Sequence, residues 1–326
     1  MKENAIHIVA CASDDYTMPC GVMMQSACAN AGTLPLCFWL IVDNGFTQKN
    51  KDLLTQEIEG NGQEIHFITV TDKQIDAFLP FENYYYTRHV FYRLLMADLL
   101  PDEVGKALYL DCDIIVRHPL DDLWGIDITR YAVGCVHDAQ EAVIEKFNRL
   151  GFPYAKGYFN SGVLLANLTY WRNNHVARSF IEYIKNHNNK IVLPDQDVLN
   201  AVLQDHKLFI PIKYNTQNEF YFKPRLMNFD YSLYKDEINE AVADPVVLHF
   251  SGVRPWLKGA SHPEINEFEK YKRQTVWKQD KPQGHRRKLK VRIINSLRPL
   301  LSKFGICHVI EDPYDYQRVA SLLSIQ

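Results

Sequence analysis

Asp111 and Asp113 flank a single residue at the end of the apolar run Ala107-Leu108-Tyr109-Leu110. Side chains two apart on an extended chain point to the same side, so the two carboxylates can share one hard cation. Oxygen ligands of this kind suit Mg2+ or Mn2+, and such an ion can in turn hold a diphosphate. A solvated strand end is the competing reading, because short acidic pairs arise by chance. Asp195-Gln196-Asp197 is a second such pair. Asp195 follows Pro194 and precedes an apolar helical stretch, so helix capping accounts for at least one of its members. His249 lies in the apolar segment Val246–Phe250, either as a satisfied core residue or as a further ligand. Imidazole suits Mn2+ better than Mg2+. Ser251 and Gly252 follow, then Arg254 and Lys258. Glycine lets backbone approach an anion, and two cations can hold phosphate. Asn160 and Ser161 precede the run Val163–Ala166, as a turn into a strand or as hydrogen-bonding groups for a polyhydroxylated ligand. Arg93 stands mid-helix among apolar residues, where arginine snorkels, pairs with an acid or reaches a phosphate. No GxGxxG follows the first apolar run, and GxxxxGK[ST], GxSxG and HExxH are absent.

These residues need a scaffold, and the first half of the chain supplies alternating strands and helices. Strands are expected at Ile6–Cys11, Leu36–Val42, Glu64–Val70 and Ala107–Leu110, with Ile114–Val116 continuing the last. Helices are expected at Cys20–Asn30, Gln48–Glu59, Asp72–Phe78 and Arg88–Leu100. Leu36–Val42 is continuously apolar, as in a strand covered on both faces. Such strand–helix units predict an α/β fold, a mostly parallel sheet flanked by helices. Ligands bind outside the carboxyl ends of such strands, where Ser13–Tyr16 and Asp111–Asp113 both fall. Further strands are expected at Tyr131–Val136, Ser161–Ala166 and Val246–Phe250, and helices at Trp171–Asn186 and Asp197–Leu203.

The chain has 326 residues, 47% hydrophobic and 23% charged, which excludes a disordered or fibrous protein. Its formal net charge of −3 argues against a globally basic nucleic-acid binder. That average hides a contrast. Residues 271–303 hold eleven Lys/Arg against one acid, Asp280, a net of +10 that leaves −13 on the rest. Leucines and isoleucines interleave with those charges, which predicts a basic amphipathic helical segment. Docking on an anionic membrane face is favoured for it over a solvated helix or nucleic acid. The expected division is therefore a domain over 1–262 and a basic region over 263–326. The amino terminus lacks a secretory pattern, and no window is apolar enough to span a membrane. The seven cysteines form no CxxC, so buried thiols in a reducing compartment are expected, with zinc or a catalytic thiol as the alternative.

The motifs occur in a fixed order: Ser-Asp-Asp-Tyr, Phe-Tyr-Arg-Leu, Leu-Tyr-Leu-Asp-Cys-Asp-Ile-Ile-Val, Tyr-Phe-Asn-Ser-Gly-Val-Leu-Leu-Ala-Asn-Leu, Pro-Asp-Gln-Asp-Val-Leu-Asn and His-Phe-Ser-Gly-Val-Arg-Pro-Trp. Over roughly residues 5–260 the set resembles glycosyltransferase family 8, which includes bacterial lipopolysaccharide galactosyl- and glucosyltransferases and glycogenin. The resemblance implies a GT-A fold, a UDP-glucose or UDP-galactose donor, Mn2+ (or Mg2+), a glycan or glycolipid acceptor and retention of anomeric configuration. It implies Asp111, Asp113 and His249 as metal ligands, and Asp14, Asp15 and Tyr16 as uridine contacts. Arg93 matches a sugar- and phosphate-contacting arginine, and Asn160, with Ser161 beside it, lies near the donor sugar. Asp195 matches the aspartate that holds sugar hydroxyls in the family, Gln196 the residue beneath the anomeric carbon, and Gly252 and Arg254 the diphosphate-binding end, a role that Lys258 can share. Two positions depart from the family pattern: Ser13 replaces a commonly acidic residue and Arg254 a usual lysine. The implied location is cytoplasmic, peripheral on the inner face of a bacterial cell membrane. A non-catalytic UDP-sugar-binding protein and a metal-dependent nucleotide-sugar hydrolase are the other classes to separate.

Overall fold

Every residue of Leu36–Val42 is buried, and the alternation of the strand explains how. Phe38, Leu40 and Val42 enter one core, while Cys37, Trp39 and Ile41 enter another on the opposite face. The structure, a computed structural model, describes residues 4–76, 88–139, 144–221 and 237–282. Its strands are β1 (Ile6–Cys11), β2 (Leu36–Val42), β3 (Glu64–Thr69), β4 (Lys106–Leu110), β5 (Ile114–Val116), β6 (Val133–His137), β7 (Phe159–Asn167), β8 (Lys207–Phe209), β9 (Thr216–Gln217) and β10 (Val247–His249). Seven of them form one sheet in the order β3-β2-β1-β4-β7-β6-β8. Four of its six pairings are parallel, and β7 runs antiparallel to β4 and β6. The expected α/β architecture with a mostly parallel sheet is what forms. One face carries the helices Thr17–Ala29 and Gln48–Gly60, and the other carries Val176–His187 and Pro194–Leu203.

Three expectations change. Ile114–Val116 does not continue β4: it leaves the main sheet for a second one, ordered β5-β10-β9. Asp111 and Asp113 therefore sit in the crossing between two sheets and not on one pleated strand. The backbone N–H of Asp111 still bonds to Gly162 O (2.9 Å), while Phe250 N–H bonds to Asp113 O (2.9 Å). Arg88–Leu100 is not one α-helix. Residues Arg88–Leu95 wind as a 3-10 helix and only Met96–Leu99 are α-helical. Long 3-10 runs are uncommon and often mark functional segments, and this one delivers Arg93 inward. The expected helix Trp171–Asn186 breaks in two, Leu168–Asn173 and Val176–His187. His175 causes the break by adopting a left-handed φ of 50°.

Packed structure continues past residue 262. The helix Ile265–Lys272 and the turns after it lie on the Thr17–Ala29 helix, with Phe268, Tyr271 and Trp277 in the core. Trp277 fills the space over Gly21, where a Cβ would collide with its ring. Asn30 Nδ2 donates to Tyr271 Oη (2.7 Å), and Val276 N–H donates to Glu57 (3.1 Å). The basic segment thus begins within the packed body, at 271–282, and its remainder, 283–303, lies outside the described residues. No helix among the described residues is long and apolar enough to cross a membrane. The six described cysteines form no disulfide, and four of them are buried.

Candidate active site

The crossing between the sheets brings three predicted ligands together. His249 is the last residue of β10, opposite Ile114 in the antiparallel pair, so its ring arrives beside Asp113. Ligand atoms of Asp111, Asp113 and His249 all lie within 4.8 Å of one another, and His249 Nε2 is 3.3 Å from Asp113 Oδ1. A Cβ on Gly162 would land on the His249 ring and 2.9 Å from Asp111 Oδ2, so only glycine keeps this space open. Burial alone would lower the His249 pKa, but Asp113, Asp111 and Glu219 overcome it and raise it. Burial pushes the Asp111 carboxyl up; Arg93 opposes this and the like charge of Asp113 adds to it. Two acids and an imidazole held this closely fit a divalent cation.

The other nitrogen of His249 is also fixed. Nδ1 contacts Asn215 Oδ1 at 2.8 Å, and Asn215 Nδ2 donates to Asn160 Oδ1 (2.9 Å). With its amide so oriented, Asn215 offers oxygen to the imidazole, which makes Nδ1–H the donor and directs Nε2 at Asp113, as the nitrogen that a cation between them would take as its ligand. Asn160 continues the chain. Its oxygen also accepts from Gly162 N–H (3.0 Å), and its nitrogen donates to Gln196 Oε1 (3.3 Å). Gln196 Oε1 accepts from Ser161 N–H as well (3.1 Å), while Gln196 Nε2 donates to Asp138 Oδ2 (2.9 Å). Lys146 pairs with Asp138 at 3.0 Å and closes the series.

Arg93 is buried and meets Asp111 Oδ1 (2.9 Å), Asp195 Oδ2 (3.1 Å) and Ser161 O (2.9 Å). Its guanidinium lies 4.4 Å from the centre of the Tyr109 ring, whose hydroxyl donates to Asp111 (2.7 Å). Burial would lower the Arg93 pKa, but Asp111 and Asp195 hold it well above the usual value. Capping in the second acidic pair falls to Asp197, which accepts from Val192 N–H (2.7 Å) and Leu193 N–H (2.9 Å) at the start of the Pro194–Leu203 helix. Asp195 is left for Arg93 and for Ser161 Oγ (2.7 Å).

A cleft of about 250 Å³ opens beside these groups, lined by Ser13, Tyr16, Arg93, Asp111, Asp113 and Arg254, among others. Among the described residues, Asp14, Asp15, Gly252 and Lys258 do not line it, and Asn160, Ser161, Asp195, Gln196 and His249 lie behind its wall, joined to it through Arg93, Asp111 and Asp113. Asp14 has a structural role: its carboxylate accepts from Thr47 N–H (2.8 Å), Thr47 Oγ1 (2.9 Å) and Asn50 Nδ2 (2.8 Å), at the start of the Gln48–Gly60 helix. Asp15, Gly252 and Lys258 are exposed. Sequence reasoning missed Asn215, Asp138, Lys146 and the role of Gly162. Gly162 had a signal, since it sits inside the quoted motif Asn160-Ser161-Gly162. Asn215 stands alone in the chain and becomes visible only when β9 lies beside β10.

The family profile described as "Glycosyl transferase family 8" matches residues 7–260. General stress protein A of Bacillus subtilis (strain 168) is 30% identical over 280 residues, 85% of this chain and 96% of that protein. Lipopolysaccharide 1,2-glucosyltransferase of Escherichia coli (strain K12) is 28% identical over 273 residues, 82% of this chain and 78% of that protein. Lipopolysaccharide 1,3-galactosyltransferase of Salmonella typhimurium (strain LT2) is 24% identical over 271 residues, 81% of this chain and 76% of that protein. Among solved structures, galactosyltransferase LgtC in complex with donor and acceptor sugar analogs superposes with a TM-score of 0.74 at 25% identity. The match covers 83% of this chain and 96% of LgtC. The fold is thus the GT-A-like arrangement seen in LgtC, and the chain belongs to glycosyl transferase family 8.

Proposed function

We propose that the protein is a retaining hexosyltransferase that moves glucose or galactose from a UDP-sugar to a hydroxyl of lipopolysaccharide or another cell-surface glycoconjugate. The observation that carries this is the convergence of Asp111, Asp113 and His249 beside a cleft. The named activities of the E. coli and Salmonella relatives support the hexose and the acceptor class. Asp111, Asp113 and His249 would hold Mn2+, which when bound supplies a Lewis acid to the diphosphate.

The remaining chemistry belongs to the chain. As the bond between sugar and UDP breaks, negative charge grows on the leaving diphosphate, and the Arg254 guanidinium at the cleft stabilises it. Asp195, oriented by Arg93 and Ser161, accepts from the hydroxyls of the sugar. Gln196 sits beside that position with its oxygen already engaged by Asn160 and Ser161. An amide so engaged is a poor nucleophile, which favours front-face attack over the double displacement of retaining glycosidases. The acceptor oxygen bonds to the anomeric carbon, the bond to UDP breaks, and the acceptor proton passes to the leaving phosphate.

A donor panel read by UDP release tests the reading. Release from UDP-glucose or UDP-galactose with Mn2+, faster when a lipopolysaccharide acceptor is added, is expected. No release from any UDP-sugar overturns it, and release indifferent to every glycan acceptor points instead to a hydrolase. We further propose that the basic residues of 283–303 bring the enzyme to an anionic membrane face, where each Lys or Arg contributes about 1 kcal/mol.

A further inference from the structure

We propose that Cys37, Glu64 and His66 form a second metal site, of the Zn2+ class, away from the cleft. Cys37 and Glu64 are register partners across the parallel pair β2–β3. His66 lies two residues beyond Glu64, on the same side of β3. The Cys37 sulfur, a Glu64 oxygen and a His66 nitrogen all lie within 4.8 Å of one another. Glu64 Oε2 and His66 Nε2 are shielded from water, and neither makes a hydrogen bond. They face each other at 3.7 Å, too far to satisfy one another. Buried polar atoms without a partner are uncommon and call for an ion or another explanation.

The surroundings hold the imidazole in place. The His66 ring stacks on Trp39 at 4.4 Å and 25°, and Trp39 Nε1 is anchored on His7 Nδ1 at 3.2 Å. β3 is the edge strand of the main sheet, and the Glu64 and His66 side chains are 30% and 40% exposed. The donor set decides the metal. A thiolate with imidazole and carboxylate matches Zn2+, while Mg2+ and Mn2+ prefer oxygen. The chain would then carry two cation sites of different taste. The Asp–Asp–His site lies at the carboxyl end of β4, and this one toward the amino ends of β2 and β3. Binding releases the Cys37 proton to solvent as the sulfur becomes a thiolate ligand, and it ties the edge strand to its neighbour.

The test uses the full chain, stripped of metal and titrated with Co2+ and then Zn2+, with excess Mg2+ present. A thiolate-to-Co2+ charge-transfer band that saturates and is displaced by Zn2+ is expected. The band should vanish in Cys37→Ser, persist in Asp113→Asn, and need at least about tenfold more Co2+ in His66→Gln and Glu64→Gln. These last two lie on the exposed edge and decide the matter if Cys37→Ser does not fold. Zn2+ should also raise the Tm of the wild type by more than it raises that of His66→Gln. Absence of the band in the wild type, or equal Co2+ affinity in His66→Gln and Glu64→Gln, would overturn the proposal. Neither result depends on the glycosyl transfer reading.

Discussion

Arg93 holds Asp111 and Asp195 in one place, 2.9 Å and 3.1 Å from its nitrogens. Removing one partner from a buried ion network leaves charge without compensation, at about 3–5 kcal/mol. Asp111 is partly open to the cleft, so the lower figure applies. Arg93→Met is expected to lose about 3 kcal/mol of stability in urea unfolding. No change in the midpoint would show that the network does not hold the fold. Asn215 is expected to act through the imidazole of His249. Asn215→Leu frees Nδ1 and should weaken Mn2+ binding by about 10–100-fold, the usual effect of losing such a partner. Equal Mn2+ affinity by electron paramagnetic resonance would contradict that role. His262 tests burial. It packs against Tyr221 and Phe250, and its Nδ1 accepts from Glu264 N–H (3.0 Å). Burial pushes it down to about 3 from the ordinary 6.5. The unfolded chain therefore binds this proton first as pH falls. The contribution is complete above the unfolded value and is lost at about 1.4 kcal/mol per pH unit below it. His262→Gln should flatten the decline in stability between about pH 7 and about pH 5; parallel curves for the two proteins would contradict it. At this scale Asp111 and Asp113 were legible because they close an apolar run, and His249 because it interrupts one. Asn215 and Asp138 carried no pattern, since their partners come from distant parts of the chain.

The site depends on one event among the elements, the passage of the chain from β4 to β5 across Asp111-Cys112-Asp113. β7 holds one side of the crossing through Gly162, and β10 holds the other through Phe250. Gly162→Ala is expected to push the imidazole from the carboxylates and cut kcat/KM by about 100-fold, with little change in global unfolding. Wild-type kcat/KM would show that the close approach is not needed. Periodicity revealed most strands and helices, because β2 is buried on both faces and the Gln48–Gly60 helix is amphipathic. It did not reveal the crossing, since Ile114–Val116 is apolar whichever sheet takes it. Nor did it reveal the 3-10 winding of Arg88–Leu95, as apolar spacing of three and four does not distinguish the two helix types.

Across the whole molecule, the acidic average and the basic segment meet on the Thr17–Ala29 helix, which anchors residues 265–282. Trp277→Ala should remove its packing over Gly21 and cost about 3–5 kcal/mol, with turnover of the folded fraction retained. A loss below about 1 kcal/mol in urea unfolding would mean that this segment is not part of the core. Truncation after residue 282 keeps that packing and removes seven of the eleven Lys/Arg of the basic segment 271–303. It should therefore lower binding to anionic vesicles, and unchanged vesicle binding would remove the membrane proposal. Composition exposed the charge contrast but not that packing reaches into the basic segment, because Tyr271 and Trp277 sit among lysines and arginines. The central claim is that Asp111 and Asp113 hold the metal on which transfer depends. Its most direct measurement is UDP release from UDP-glucose and UDP-galactose at saturating Mn2+, comparing wild type with Asp111→Asn and Asp113→Asn. Loss of turnover with weakened UDP binding in both variants is the expected result. Near-wild-type turnover in either one would contradict the metal assignment.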